Sequence, residues 1–190
     1  IAKNYEEFKA SIKPGMKFAI QEYVVGTRYY IHYFYSPLAT EGYRLSRGVL
    51  EMLGVDRRDE ANIDEMYKLG AQERLRELEL YPTFVVTGNM PVVLRESLLP
   101  KAFDMGERTV EKSIDLFGGM IGPFCLETIV TDQLEFKVFE ISTRIVAGTN
   151  LFIAGSPYSD LAEPGMSTGR RIAREIRIGQ KQGRLADILS

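Results

Sequence analysis

Several things are scarce in this 190-residue chain, and each scarcity removes a class of function. There is one cysteine, Cys125, so no disulfide can close within the chain. Lys and Arg together number 24 against 26 Asp and Glu, a formal charge of -2, so no cationic excess is present to neutralise a nucleic-acid backbone. No apolar run approaches the roughly 20 residues of a membrane span. No signal-peptide pattern opens the chain. Repeats, low-complexity tracts and linkers are also missing. These absences lead to the expectation of a soluble cytoplasmic protein with neither nucleic acid nor membrane as a partner. The first residue is Ile1 rather than methionine and the opening residues read as helical. The expectation is therefore that the natural sequence continues upstream.

What is present is enough to build a core: 45% of residues are hydrophobic and 11% aromatic, which excludes disorder. Tyr5, Phe8 and Ile12 recur at helical spacing before Pro14-Gly15. Residues 17–25 alternate loosely, and after Gly26-Thr27 the aromatic run from Arg28 to Tyr35 reads as a second strand. Between Pro37 and Leu80 the pattern loosens and charges gather at Asp56-Arg57-Arg58-Asp59-Glu60, which reads as loops joining short helices at 64–68 and 72–78. Phe84 to Thr87 reads as a strand and Gly88-Asn89 as a turn. Lys101 to Phe117 reads as a helix closed by glycines. Two strands follow, Phe124 to Val130 and Phe136 to Val146, and Ser167 caps a last basic helix reaching about Lys181. Antiparallel strands mixed with helices make the class α+β, in one domain or one large piece of one.

The hairpin from Gly122 to Asn150 is the most informative segment. Side chains alternate across a strand, which places Phe136, Val138, Glu140, Ser142 and Arg144 on one face. A loop at Asp132 to Glu135 sets Glu127 opposite Glu140. Opposed residues have Cβ atoms roughly 5 Å apart, and two like charges there call for a cation or a shared proton. Magnesium meets that need, because it takes oxygen ligands and is commonly held by one or two carboxylates with water and substrate phosphates. Arg144 on the same face would meet a phosphate. An ordinary solvent-facing hairpin is the alternative, and a register slip of one residue removes the pair.

A longer series of segments carries a family likeness: Ile20-Gln-Glu-Tyr-Val-Val-Gly26, His32-Tyr-Phe-Tyr-Ser-Pro37, Asp56-Arg-Arg58, Gly88-Asn89 through Arg95-Glu-Ser-Leu-Leu99, Gly122-Pro-Phe-Cys-Leu-Glu127, Phe139-Glu-Ile-Ser142 with Arg144 to Asn150, Gly155-Ser-Pro-Tyr158 and Ser167 to Ala173. In this order they resemble the C-terminal portion of ATP-grasp ligases of the archaeal-type formamidoimidazole carboxamide ribonucleotide (FAICAR) synthetase family. The resemblance implies an ATP-grasp fold, a mostly antiparallel sheet with flanking helices, whose N-terminal part is not in this chain. It also implies that Gln21, Glu22, Tyr23 and Val24 form the hinge along which adenine lies, and that Glu60 serves nucleotide binding. Glu127 and Glu140 match the magnesium or manganese ligands, and Asn89 matches a contact to the ribonucleotide. His32, Arg95 and Arg144 fall in shared segments, where they would bind phosphate or carboxylate groups. Ser142 stands where many ATP-grasp enzymes place an asparagine ligand, and Val25 where many place an acidic ribose contact.

The implied reaction uses ATP and formate to convert aminoimidazole carboxamide ribonucleotide (AICAR) to FAICAR through formyl phosphate, in purine biosynthesis, within a homo-oligomer. Such phosphoryl transfer rests on positioning and charge neutralisation, so Cys125 is expected to be a core residue rather than a nucleophile. The long stretch from Thr40 to Gly54 departs from the family pattern. That keeps two alternatives open: an ATP-grasp paralogue acting on another carboxylate and amine, and a nucleotide-binding protein without turnover.

Overall fold

A computed structural model describes residues 8–10, 12–18, 21–22, 24–61, 83, 85–146 and 163–189. Its centre is one antiparallel sheet. Strand β1 (Thr27–Ser36) lies between β3 (Val49–Glu60) and β5 (Gly122–Val130), and β6 (Phe136–Ser142) follows beside β5. The outer edge of β3 carries both β2 (Tyr43–Arg44) and β4 (Val86–Pro91).

The two faces of β1 have different fates. Ile31, Tyr33 and Tyr35 point to a core shared with Leu50, Met52, Val55, Phe124, Leu126 and Val130. Helix α1 (Leu99–Phe117) covers that core with Ala102 and Val110, each large aliphatic side chain so buried contributing about 1.5–3 kcal/mol. Tyr33 stacks on Phe124 with centroids 5.1 Å apart and donates its hydroxyl to the Ala102 carbonyl at 2.7 Å. That bond satisfies a polar tip that burial would otherwise penalise. The helix stops at Gly118, whose φ of 90° is the left-handed conformation glycine adopts without steric cost.

The opposite face carries one apolar cluster at its Phe34 end, where Leu53, Met166 and Ile172 join Phe34. Helix α2 (Thr168–Gln182) lies over that end. Ser167 caps it, accepting from Arg170 N, as the sequence predicts. Arg171 is buried over the Phe34 ring and reaches both Glu51 and Glu175, while Ser36 donates to Glu175 at 2.6 Å. Further along this face β1 carries Arg28 and His32, with Tyr30 between them packed beside Cys125 and Val146.

Some sequence expectations hold and others need correction. The strand at Arg28 to Tyr35, the helix at Lys101 to Phe117 and the strand at Phe124 to Val130 are present. Residues 8–10 are helical and Pro14-Gly15 turns. The described residues between 17 and 25 lie in no strand. The largest correction is at Pro37 to Leu80: the charged run read as a loop is the second half of the twelve-residue β3. Charge misled because Asp56 and Glu60 are buried and find polar partners on β1, the His32 ring and the Arg28 guanidinium, so a strand can carry them. The stretch from Thr40 to Gly54 accordingly builds β2 and the start of β3. Gly88-Asn89 is no turn but lies within β4, pairing with Asp59 and Arg58. The helices expected at 64–68 and 72–78 lie outside the described residues.

The hairpin has the expected pair and an unexpected route to it. Near the turn Val130 opposes Phe136 and Thr128 opposes Val138, a register that, continued, would set Phe139 against Glu127. A bulge between Glu127 and Thr128 absorbs one residue of β6, and beyond it Glu127 opposes Glu140 and Cys125 opposes Ser142. Phe136 and Val138 are therefore not on the face of Glu140 as strict alternation requires. Phe136 packs into the α1-side core. Strand β6 also stops at Ser142, short of Arg144 and Val146.

Candidate functional site

Opposed residues share a face, so the ladders assemble a polar surface on the side away from α1. Each of five adjacent strands contributes one residue: Asn89 on β4, Arg58 on β3, Tyr30 on β1, Glu127 on β5 and Glu140 on β6. Asn89 opposes Arg58, Tyr30 opposes both Asp56 and Glu127, and Glu127 opposes Glu140. His32 opposes Cys125, one step along towards α2.

Charge on this surface is only partly cancelled. Arg28 pairs with the buried Glu60 carboxylate. His32 Nε2 lies 2.8 Å from Asp56 Oδ2. Glu127, Glu140 and Arg58 remain, and none of the three has an ion-pair partner among the described residues. The Ser142 hydroxyl lies 3.1 Å from Glu127 Oε1 and 3.3 Å from Glu140 Oε1. A hydroxyl has one proton, so it donates to one carboxylate at a time. Burial, then the neighbouring Glu140 charge, push the Glu127 carboxyl above the usual carboxylate range, while Arg58, Ser142 and Arg144 pull it back. Burial likewise pushes the Tyr30 phenol up to about 12.

Two adjacent carboxylates, one buried and one exposed, are a donor set suited to a hard divalent cation. Among the described residues no group of three or more His, Cys, Asp or Glu side chains is disposed to hold a metal. An ion here would take two protein carboxylates and complete its shell with water and phosphate oxygens, the arrangement magnesium commonly adopts.

Of the residues singled out from the sequence, Glu127, Glu140, His32, Glu60 and Asn89 come together on this face. Asn89 does so from a strand, not from the expected turn. Arg144 lies just past β6, exposed, with Nη1 on the Ile145 carbonyl at 2.9 Å, near enough to influence Glu127 electrostatically. Arg95 is exposed in the connection into α1, and no described contact links it to the carboxylates. Gln21 and Glu22 are exposed, and Val24 half-buried, in irregular chain leading into β1. Tyr23 lies outside the described residues. Cys125 is fully buried beside Tyr30 and Val146, and burial raises its thiol far above the usual range, which fits a core residue.

Arg28, Tyr30, Asp56 and Arg58 belong to the site and were not singled out. The signal was there as period-two alternation in Arg28-Tyr30-His32 and Asp56-Arg58-Glu60, but the second triplet is legible only once its segment is known to be a strand.

Comparison with known proteins follows the same line. A family model described as "Domain of unknown function (DUF1297)" matches residues 8–190. A protein of Methanothrix thermoacetophila named 5-formaminoimidazole-4-carboxamide-1-(beta)-D-ribofuranosyl 5'-monophosphate synthetase is 65% identical over 190 residues, covering 100% of this chain and 53% of its own length. A protein of the same name from Pyrococcus horikoshii is 53% identical over 173 residues, 90% of this chain and 49% of its own. The chain thus spans about half the length of the curated relatives it matches. A crystal structure of an IMP biosynthesis protein, PurP, from Thermococcus kodakaraensis matches with a TM-score of 0.65 and 35% identity, covering 87% of this chain and 50% of that one. The antiparallel sheet with flanking helices is the architecture the two share. No helix among the described residues is long and apolar enough to cross a membrane.

Proposed function

The chain belongs to the DUF1297 family, and from that footing we propose that it forms the metal-binding part of an ATP- and formate-dependent ligase that converts AICAR to FAICAR in purine biosynthesis. The observation that carries the reading is the Glu127 and Glu140 pair, set side by side on the polar face of a chain 65% identical to a synthetase so named. Its cofactors would be ATP and Mg2+, with Mn2+ as a substitute. Its small-molecule partners would be formate and AICAR, and a cytoplasmic homo-oligomer is its setting.

In this reading Glu127 and Glu140 hold the cation, which when bound neutralises charge on phosphoryl oxygens. Glu127 must be ionised to do so, and Arg58, Ser142 and Arg144 favour that state against burial and Glu140. The Ser142 hydroxyl orients whichever carboxylate it serves. The pairs Arg28 with Glu60 and His32 with Asp56 hold β1 and β3 in place beside the carboxylates and keep the Glu60 and Asp56 carboxylates occupied. Formate attacks the γ-phosphorus of ATP with loss of ADP, and the amine of AICAR takes the formyl group from formyl phosphate with release of phosphate. Positioning and electrostatics suffice for such transfers, so no covalent nucleophile is needed.

The test is ADP release by the full-length protein with ATP, Mg2+ and formate, in the presence and absence of AICAR. Formate- and AICAR-dependent release is expected. Release with another acid and amine instead would identify a paralogue with a different substrate, and nucleotide binding without any release would make the protein a binding subunit.

A further inference from the structure

The Nε and Nη2 atoms of Arg58 are buried and meet no hydrogen-bond acceptor among the described residues. A guanidinium with two buried donors left over carries a desolvation cost unless something completes it. Its neighbours hold it in one orientation: its central carbon lies 3.8 Å from the centroid of the Tyr30 ring. A ring beneath the guanidinium plane fixes that plane and takes none of the N–H donors in its edge.

The same sheet face carries this device in completed form. Arg171 stacks on Phe34 at 4.0 Å, and its Nε and Nη2 donate to the two oxygens of Glu51 at 2.7 and 2.9 Å. That edge of a guanidinium presents two parallel N–H groups spaced for the two oxygens of a carboxylate or phosphate. Arg171 meets an internal carboxylate with it. Arg58, on the same strand as Glu51, presents the same edge, and no side chain among the described residues answers it.

Position narrows the chemistry. Arg58 stands over Tyr30, which directly opposes Glu127, and it is close enough to lower the Glu127 carboxyl. An oxyanion on its fork would lie beside a carboxylate pair suited to a cation, at the point where that cation and a second anion would face one another. We propose that Arg58 binds the small carboxylate substrate through its Nε/Nη2 edge. This assignment rests on the ligase reading above, in which that substrate is formate. Phosphate presents the same two-oxygen chemistry, so the experiment separates the two sources.

Steady-state ADP release by the full-length protein is measured with formate, ATP and AICAR varied in turn, for wild type, Arg58→Lys and Arg171→Lys. Lysine keeps the charge and loses the fork. The KM for formate in Arg58→Lys should rise about tenfold or more, with the KM values for ATP and AICAR within about threefold of wild type. Arg171→Lys should lower the melting temperature and leave all three KM values alone, which separates the site role from general loosening. An unchanged formate KM in Arg58→Lys overturns the proposal, and so does a rise confined to ATP or AICAR, which would make the ligand a phosphate. Should Arg58→Lys fail to fold, Tyr30→Leu, which removes the ring beneath the guanidinium, must raise the same KM. If the wild type shows no formate-dependent release, the ligase reading fails by itself. Calorimetric titration of formate and of inorganic phosphate into wild type and Arg58→Lys then decides the fork: weaker formate binding by the variant supports it, and identical binding of both anions overturns it.

Discussion

Glu127 is where the chemistry of single residues is most exposed to measurement. Its carboxyl is raised in the folded state by burial and by Glu140. A carboxyl raised on folding binds its proton more tightly than in the unfolded chain, so its stabilising effect is full below the unfolded value and is lost as pH rises through the raised one. The metal-free protein at neutral pH therefore carries a penalty. Glu140→Gln removes the like charge and should make metal-free protein more stable at pH 7–8 by about 0.2–1 kcal/mol. That gain should shrink to nothing below about pH 4, where the unfolded carboxyl is itself protonated. Thermal melts across that range check it, and a variant less stable than wild type at neutral pH would sink the paired-carboxylate account. The same substitution should abolish magnesium-dependent turnover in the full-length protein. For Cys125, buried and raised, Cys125→Ala should keep turnover within about twofold, and native protein should resist alkylation. Alternation, the placement of the hairpin loop and the family likeness made Glu127 and Glu140 candidates. The burial of Glu127, and the hydroxyl of Ser142 between the two, came from the packing.

Elements show the same division. The Ser167 cap of α2, the glycine stop of α1 and the aromatic run of β1 are local signals and were legible. The bulge in β6 was not, because nothing in residues 136–140 by themselves distinguishes a regular strand from one that slips a residue; the turn at one end and the face required at the other decide it. Helix packing yields two glycine substitutions of opposite sign. A methyl added at Gly106 would lie 2.8 Å from both Leu50 Cδ2 and Tyr33 Cε1, so Gly106→Ala should cost about 1–3 kcal/mol in denaturant unfolding. At Gly169 nothing lies within 4 Å of the added methyl, so Gly169→Ala should be neutral or stabilising by up to about 1 kcal/mol. Arg171→Ala would leave Glu51 and Glu175 without their shared buried cation, a loss of about 3–5 kcal/mol measurable in the same experiment.

At the scale of the whole molecule, the sheet has one face given to the core and another divided between α2 and a polar surface. A ligand bound to that surface should stabilise the fold by mass action. In the full-length protein, Mg2+ with a non-hydrolysable ATP analogue at about 100 times its Kd should add about 2.7 kcal/mol, and Glu140→Gln should lose most of that shift. Equal shifts in both proteins would place the cation elsewhere. Composition by itself excluded an internal disulfide and an overall cationic excess, and the ordered series of segments carried the family likeness. Local pattern determined where β1, α1, β5 and α2 run, because caps, glycines and alternation act over a few residues. The tertiary structure alone decided that β3 is a strand, that β1 separates it from β5, and that Arg58 therefore stands between Asn89 and the carboxylates. Arg58 and Glu127 are 69 residues apart in sequence, and the ladders that join them through Tyr30 are long-range pairings. No short-range pattern encodes which strands become neighbours, so the identity of the residues that share a face is settled only when the sheet closes.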